Sequence, residues 1–206
     1  ASGTSSNGFS ASSSSSSWGS GPTVSRRLGF QQCKDADWLA GFCTASAARL
    51  GACTVDQLSA VAWALAALGF KPPAAWVLAW QLAVVDAAAA VPVGRLSVAI
   101  TEAAARAMWA LKQLPAGSGG ASKTATAVRL LETVAMAAAA GLCDAHTLAV
   151  AADSAADICR SGREQQQGGG SKDALQDSVQ QLIQHTAPTL YMCTGQQLLM
   201  LLTAAA

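Results

Sequence analysis

Charge is scarce in this chain. Asp, Glu, Lys and Arg make up 12% of its 206 residues and sum to a formal +1, so no overall field draws it to nucleic acid or to a membrane, although a local basic patch is compatible with that balance. No familiar catalytic or cofactor signature is present: no phosphate-binding GxxxxGKS/T, no GxGxxG behind a strand, no HExxH and no GxSxG. The two histidines, His146 and His185, stand far apart. General acid–base work needs a positioned partner, so both are expected to be surface or internally satisfied residues. Six cysteines include no CxxC pair and no Cys/His cluster at zinc spacing. They are expected to be free thiols packed as small hydrophobes, in a reducing compartment. No enzyme and no cofactor is expected.

What the chain does contain is alanine-rich apolar sequence, 51% hydrophobic overall. Residues 1–30 are the exception. They are Ser/Gly-rich, with an unbroken serine run from Ser12 to Ser17, and are expected to be a disordered linker or a transit-like segment. The chain does not start with Met and its last residues, QLLMLLTAAA, fall inside an apolar run. That pattern suggests a piece of a longer protein.

The stretch Thr54–Trp76 gives the key to the rest. Thr54 and Gln57 have the spacing of a capping box. Leu58, Val61, Ala62, Leu65, Leu68 and Gly69 then follow at helical spacing, and Gly69 with Pro72-Pro73 marks the end. Trp63, Ala67 and Phe70 form a second apolar stripe, and a helix with two apolar faces needs two neighbours. Similar units recur. Hairpins of paired helices are predicted at about 35–70, 73–115, 123–160 and 172–206, the third and fourth separated by a polar, disordered insertion, SGREQQQGGGSK, at 161–172. Trp38 to Trp76 is 38 residues and Trp63 to Trp109 is 46. Leu148 takes the place of Leu58, and Asp153 falls where Trp63 stood. Thr194–Gln197 repeats the capping box. Such periods belong to helical-repeat architectures of roughly 33–47 residues. The fold expected is all-α: residues 31–206 as a right-handed α-solenoid of about four antiparallel hairpins.

The residues Pro72, Pro73 and Trp76 at the junction, with Leu58, Trp63, Ala64, Leu65, Ala66, Leu68 and Gly69 in the helix core, resemble an octotricopeptide repeat. Trp109, Ala110, Leu111 and Leu114 match the core again, without the glycine. The match is good over 35–76, partial to 115 and faint beyond. This family is abundant in green algal organelles. The resemblance implies a sequence-selective RNA-binding solenoid acting in chloroplast, or alternatively mitochondrial, RNA metabolism: transcript stabilisation, processing, splicing or translation. It implies organelle RNA (mRNA, intron RNA or rRNA) as partner, with other proteins of a ribonucleoprotein complex beside it. A protein-binding scaffold, such as a mitochondrial ribosome component or assembly factor, is the alternative.

Phosphate contacts in such a protein come from Lys and Arg. The candidates in the repeat region are Lys71, Arg95, Arg106, Lys112, Lys123 and Arg129, each with a solvated helix face as its other reading. Trp38, Leu58, Trp63, Leu65, Leu68, Trp76, Trp109 and Leu111 are expected to pack between repeats. Trp80 matches no repeat position and is a candidate stacking surface for a base. Asp153 and Asp157, one turn apart, could chelate a hard cation, but a solvated helix face is the expectation. The apolar run from Pro73 to Val93 is interrupted by Gln81 and Asp86. A mid-membrane Asp costs roughly 2.5–3.5 kcal/mol, so no membrane span is expected there.

Overall fold

A computed structural model describes residues 32–115 and 120–165, together with the isolated positions Asp177, Gln180, Gln184 and Thr194. The described residues are all-α and include no strand. Six α-helices follow one another: α1 (Gln32–Ala47), α2 (Val55–Ala67), α3 (Ala74–Ala89), α4 (Val98–Gln113), α5 (Gly120–Ala139) and α6 (Ala145–Gln165). The fourth hairpin and the Ser-rich start lie outside the described residues. The helix α6 runs on through Gln165, so the polar segment from 161 begins as helix and not as a loop.

Helix boundaries follow from local chemistry. The Thr54 hydroxyl accepts from the Gln57 amide at 3.3 Å, and the Gln57 side chain accepts from the Thr54 amide at 3.0 Å. Two otherwise orphaned donors are thus satisfied reciprocally. Ser97 caps α4 through the Ile100 amide and Asp144 caps α6 through the Thr147 amide. At the other end of α2, Gly69 adopts φ +68. Its amide bonds the Ala66 carbonyl while Phe70 reaches back to Leu65. That pair of bonds needs a left-handed residue, which glycine enters without a Cβ clash. Gly141 (φ 71) closes α5 in the same way.

The helices pack in an alternating order. Among the odd-numbered helices, α1 lies against α3 and α3 against α5; among the even-numbered ones, α2 lies against α4 and α4 against α6. Contacts of α2 with α3, α4 with α5 and α5 with α6 join the two sets. The register repeats across the even set. The 46-residue shift that takes Trp63 to Trp109 takes Leu58, Ala62 and Leu65 to Ala104, Met108 and Leu111, all buried. A further shift, taking Trp109 to Asp153, reaches Leu148, Ala152 and Ala155, also buried. So many alanines in the contact let the helix axes approach closely.

Tryptophan indoles tie the layers together. The Trp76 ring N–H donates to the Ser46 hydroxyl of α1 at 3.0 Å, and the Trp80 ring N–H donates to the Leu58 carbonyl of α2 at 2.9 Å. Trp80 is wholly buried, so it offers no face to a base, and it drops out as a candidate stacking surface. Its neighbours on α3 explain why. Trp76, Val77, Ala83 and Val84 are all buried, and the ring extends this apolar surface while the polar edge finds a carbonyl.

Two further packing expectations are corrected. Trp38 is 68% exposed and stacks on Phe42 of its own helix, 5.9 Å away. Leu68, the C-terminal cap residue of α2, is 58% exposed. Among the described residues α1 and α2 are the outermost pair, with a neighbouring helix on one flank only.

Candidate nucleic-acid interface

Trp63 on α2 and Trp109 on α4 meet, with ring centroids 6.5 Å apart and planes tilted by 44°. Trp63 is 39% exposed and Trp109 partly so. The second stripe of α2 is therefore an outward-facing aromatic contact and not a buried one: Ala67 is exposed and Phe70 half-buried. At the third rung the ladder changes chemistry, because Asp153 replaces the ring.

The structure assigns most of the predicted phosphate-binding cations to partners within the protein. Arg106 on α4 reaches Asp56 in the first turn of α2 at 3.1 Å, with Ser59 also in range at 3.5 Å. Asp56 there also complements the positive end of the α2 dipole. Lys112, on the other side of α4, bonds Asp153 of α6 at 2.9 Å and contacts Asp157 as well. Arg160 closes on Asp157 from within α6. Thus α4 is tied to both flanking helices by a cation. The Asp153–Asp157 pair is consequently neither a cation chelate nor a solvated face but one half of an interhelical ion cluster. Among the described residues no group of three or more His, Cys, Asp or Glu side chains is placed to hold a metal ion.

The ionisation equilibria reflect this. Burial pushes the Lys112 ammonium down, but its bonds to Asp157 and Asp153 outweigh that and hold it above the usual lysine range. Burial likewise pushes Asp157 up, and the bonds from Lys112 and Arg160 bring it below the usual carboxylate range. Lys123 lies at the start of α5 and donates to the Leu114 carbonyl at 2.5 Å, at the negative end of α4. Burial lowers its pKa. Arg129 pairs with Glu132 one turn along α5, both well exposed.

That leaves Lys71, between α2 and α3, and Arg95, in the short 3-10 turn Val93–Arg95 before α4. Both are exposed. The six cations fall on two loops, on α4 and on α5. Leu58, Leu65, Trp76 and Leu111 lie in the core.

Burial disfavours the thiolate at two of the described cysteines, Cys43 and Cys143. Cys43, Cys53 and Cys143 are free thiols. Burial raises the Cys43 pKa, and burial with the nearby charges of Asp144 and Glu102 pushes Cys143 up to about 12, which suppresses the nucleophilic thiolate. No helix among the described residues is long and apolar enough to cross a membrane. No family model, curated protein or solved structure matches the chain.

Proposed function

We propose that this chain is part of an α-solenoid that binds single-stranded RNA and serves post-transcriptional gene expression in a chloroplast or mitochondrion. The observation that carries the reading is the Trp63–Trp109 contact: residues of equal repeat register meet between α2 and α4. Stacked hairpins of this kind present one side chain set per repeat along a continuous surface. Together with the octotricopeptide-like core, that supports an RNA reader built from repeated units. Phosphate contact falls to the exposed cations Lys71, Arg95 and Arg129. Arg129 is held only by an exposed pair of a kind worth about 0–1 kcal/mol, so a phosphate can displace Glu132.

A salt titration of RNA binding by the longest available form of the protein tests this. Binding should weaken with salt, and alanine at each of Lys71, Arg95 and Arg129 should reduce the logarithmic salt slope by roughly 0.7. Alanine at Lys123 should leave the slope unchanged. Absent or salt-insensitive binding overturns the reading.

A second reading, a protein-binding scaffold, draws on a specific observation. The surface around Trp63 and Trp109 carries Asp56, Glu102, Asp153 and Asp157 against Arg106, Lys112 and Arg160. Such a balanced surface gives phosphate little attraction. A stoichiometric protein partner that survives nuclease treatment would favour this reading over RNA.

A further inference from the structure

The two seams of the array are built from different chemistry. The first joins α1 and α2 to α3 and α4, and it holds the aromatic anchors. The Trp76 and Trp80 ring N–H groups bond Ser46 and the Leu58 carbonyl across it, and Trp63 meets Trp109. Its buried Ser59 is satisfied: the hydroxyl donates to the Asp56 carbonyl at 2.9 Å and lies 3.5 Å from the Arg106 guanidinium. The second seam joins α3 and α4 to α5 and α6. Neither α5 nor α6 contains Phe, Trp or Tyr. Five of the eight buried polar residues among the described ones lie on these two helices: Thr124, Thr126, Thr133, Thr147 and Ser154. The ion cluster that links Lys112 to Asp153 and Asp157 across the seam is partly open to water.

Ser154 marks the difference most sharply. It is wholly buried, and its hydroxyl has no hydrogen-bond partner among the described residues. Helical serines and threonines commonly bond a carbonyl three or four residues back, as Ser59, Thr101 and Thr133 do. Ser154 stands one turn before Asp157, on the flank of α6 that meets Lys112 of α4. The shift that takes Trp109 to Asp153 takes the buried Ala110 to Ser154. A hydroxyl thus replaces a methyl group, and its lost hydration destabilises the docked arrangement.

We propose that this second seam is a joint: α5 and α6 part from α3 and α4 as a unit while the first two hairpins stay together. Opening returns the Ser154 hydroxyl to water and lets Lys112, Asp153 and Asp157, already touched by water, hydrate fully. Opening the first seam instead breaks both indole bonds and uncovers Trp76 and Trp80. The face carried by the even-numbered helices therefore bends between Trp109 and Asp153, and Lys112 leaves its two carboxylates when it does. The joint is independent of RNA binding, since it rests on packing alone.

Hydrogen exchange on the full 206-residue chain, read by mass spectrometry over a series of low denaturant concentrations, tests it. Amides of α5 and α6 should exchange about tenfold or more faster than those of α3 and α4, through an opening of smaller denaturant dependence, because only part of the buried surface is exposed. Ser154→Ala should slow exchange in α5 and α6 by about tenfold, since no orphaned hydroxyl then opposes docking. Ser59→Ala, which removes a bonded hydroxyl at the first seam, should slow exchange nowhere. One common opening for α2 to α6, with a single denaturant dependence, overturns the joint. Exchange in Ser154→Ala as fast as in the native chain overturns it too, because the hydroxyl then weighs nothing against docking.

Discussion

Replacing Trp80 by alanine should cost the helical array about 3–5 kcal/mol, the range for emptying a buried aromatic site. The ring is wholly enclosed, and its N–H holds the Leu58 carbonyl at 2.9 Å. Its removal leaves a cavity where α3 meets α2. Two neighbours are poorly suited to filling it: Ala62 is already small, and Leu58 lies on a helix tied by its own capping box. Trp80→Phe separates the two contributions, because it keeps most of the volume and loses the donor. Its cost should be smaller, about 2 kcal/mol, since one net hydrogen bond contributes about 1 kcal/mol and the lost ring volume adds a similar amount. Urea denaturation followed by circular dichroism measures both. A loss below about 1 kcal/mol for the alanine variant would mean that Trp80 is not enclosed between the layers.

Replacing Lys112 by methionine should be the largest effect among the charged residues, about 2–3 kcal/mol. The three side chains of the cluster are 24%, 23% and 28% exposed for Lys112, Asp153 and Asp157. The loss is therefore discounted from the roughly 3–5 kcal/mol seen when one partner of a fully buried pair is removed. What destabilises the variant is the two carboxylates left facing each other with Arg160 alone to compensate. Adding Asp153→Asn and Asp157→Asn should recover much of the loss, as neutral partners need no counter-charge. Removal of the exposed Arg129 should change stability by no more than about 0.5 kcal/mol. The cluster also sets a pH window. Lys112 binds its proton more tightly folded than unfolded. Its contribution is therefore complete below the ordinary lysine pKa near 10.4 and is lost as pH rises through the higher folded value. Asp157 is shifted down. Its contribution is complete above the ordinary aspartate value of about 3.9 and is lost as pH falls through the lower folded value. Thermal melts should accordingly show the Lys112→Met penalty undiminished between roughly pH 5 and pH 9 and shrinking outside that window.

The helices and their ends were legible in the sequence because each is set by neighbours a few residues away. Thr54 with Gln57, and Gly69, act on their own turn, whereas the Ser97 cap of α4 was not read from the sequence. Leu58 and Leu148, set in register by their spacing, are both buried, and Trp63 and Trp109 are in ring contact. The partners of the cations were not legible. Arg106 and Asp56 lie 50 residues apart, and Lys112 and Asp153 lie 41 apart. Such pairs exist only once even-numbered helices lie side by side. A signal was present all the same: Asp153 sits at the Trp109 position of the next repeat, one turn from where Lys112 can reach across. The role of Trp80 was left open because it matches no repeat position. Yet α3 has an almost unbroken apolar sequence around it, and a ring one turn from Trp76 on such a helix has core on every side but one. Trp38 failed in the opposite sense. Its register matches Trp76, but register says nothing about whether a preceding helix is there to cover it.

The central claim is that equivalent positions of successive hairpins meet. Nuclear Overhauser contacts among the indole rings test it most directly. The account predicts cross-peaks between Trp63 and Trp109 and between the Trp76 ring N–H and the Ser46 side chain. It also predicts a Trp80 ring N–H protected from solvent exchange. A spectrum in which Trp63 shows no contact with Trp109, and in which the Trp76 and Trp80 ring protons exchange as freely as an exposed indole, would contradict it.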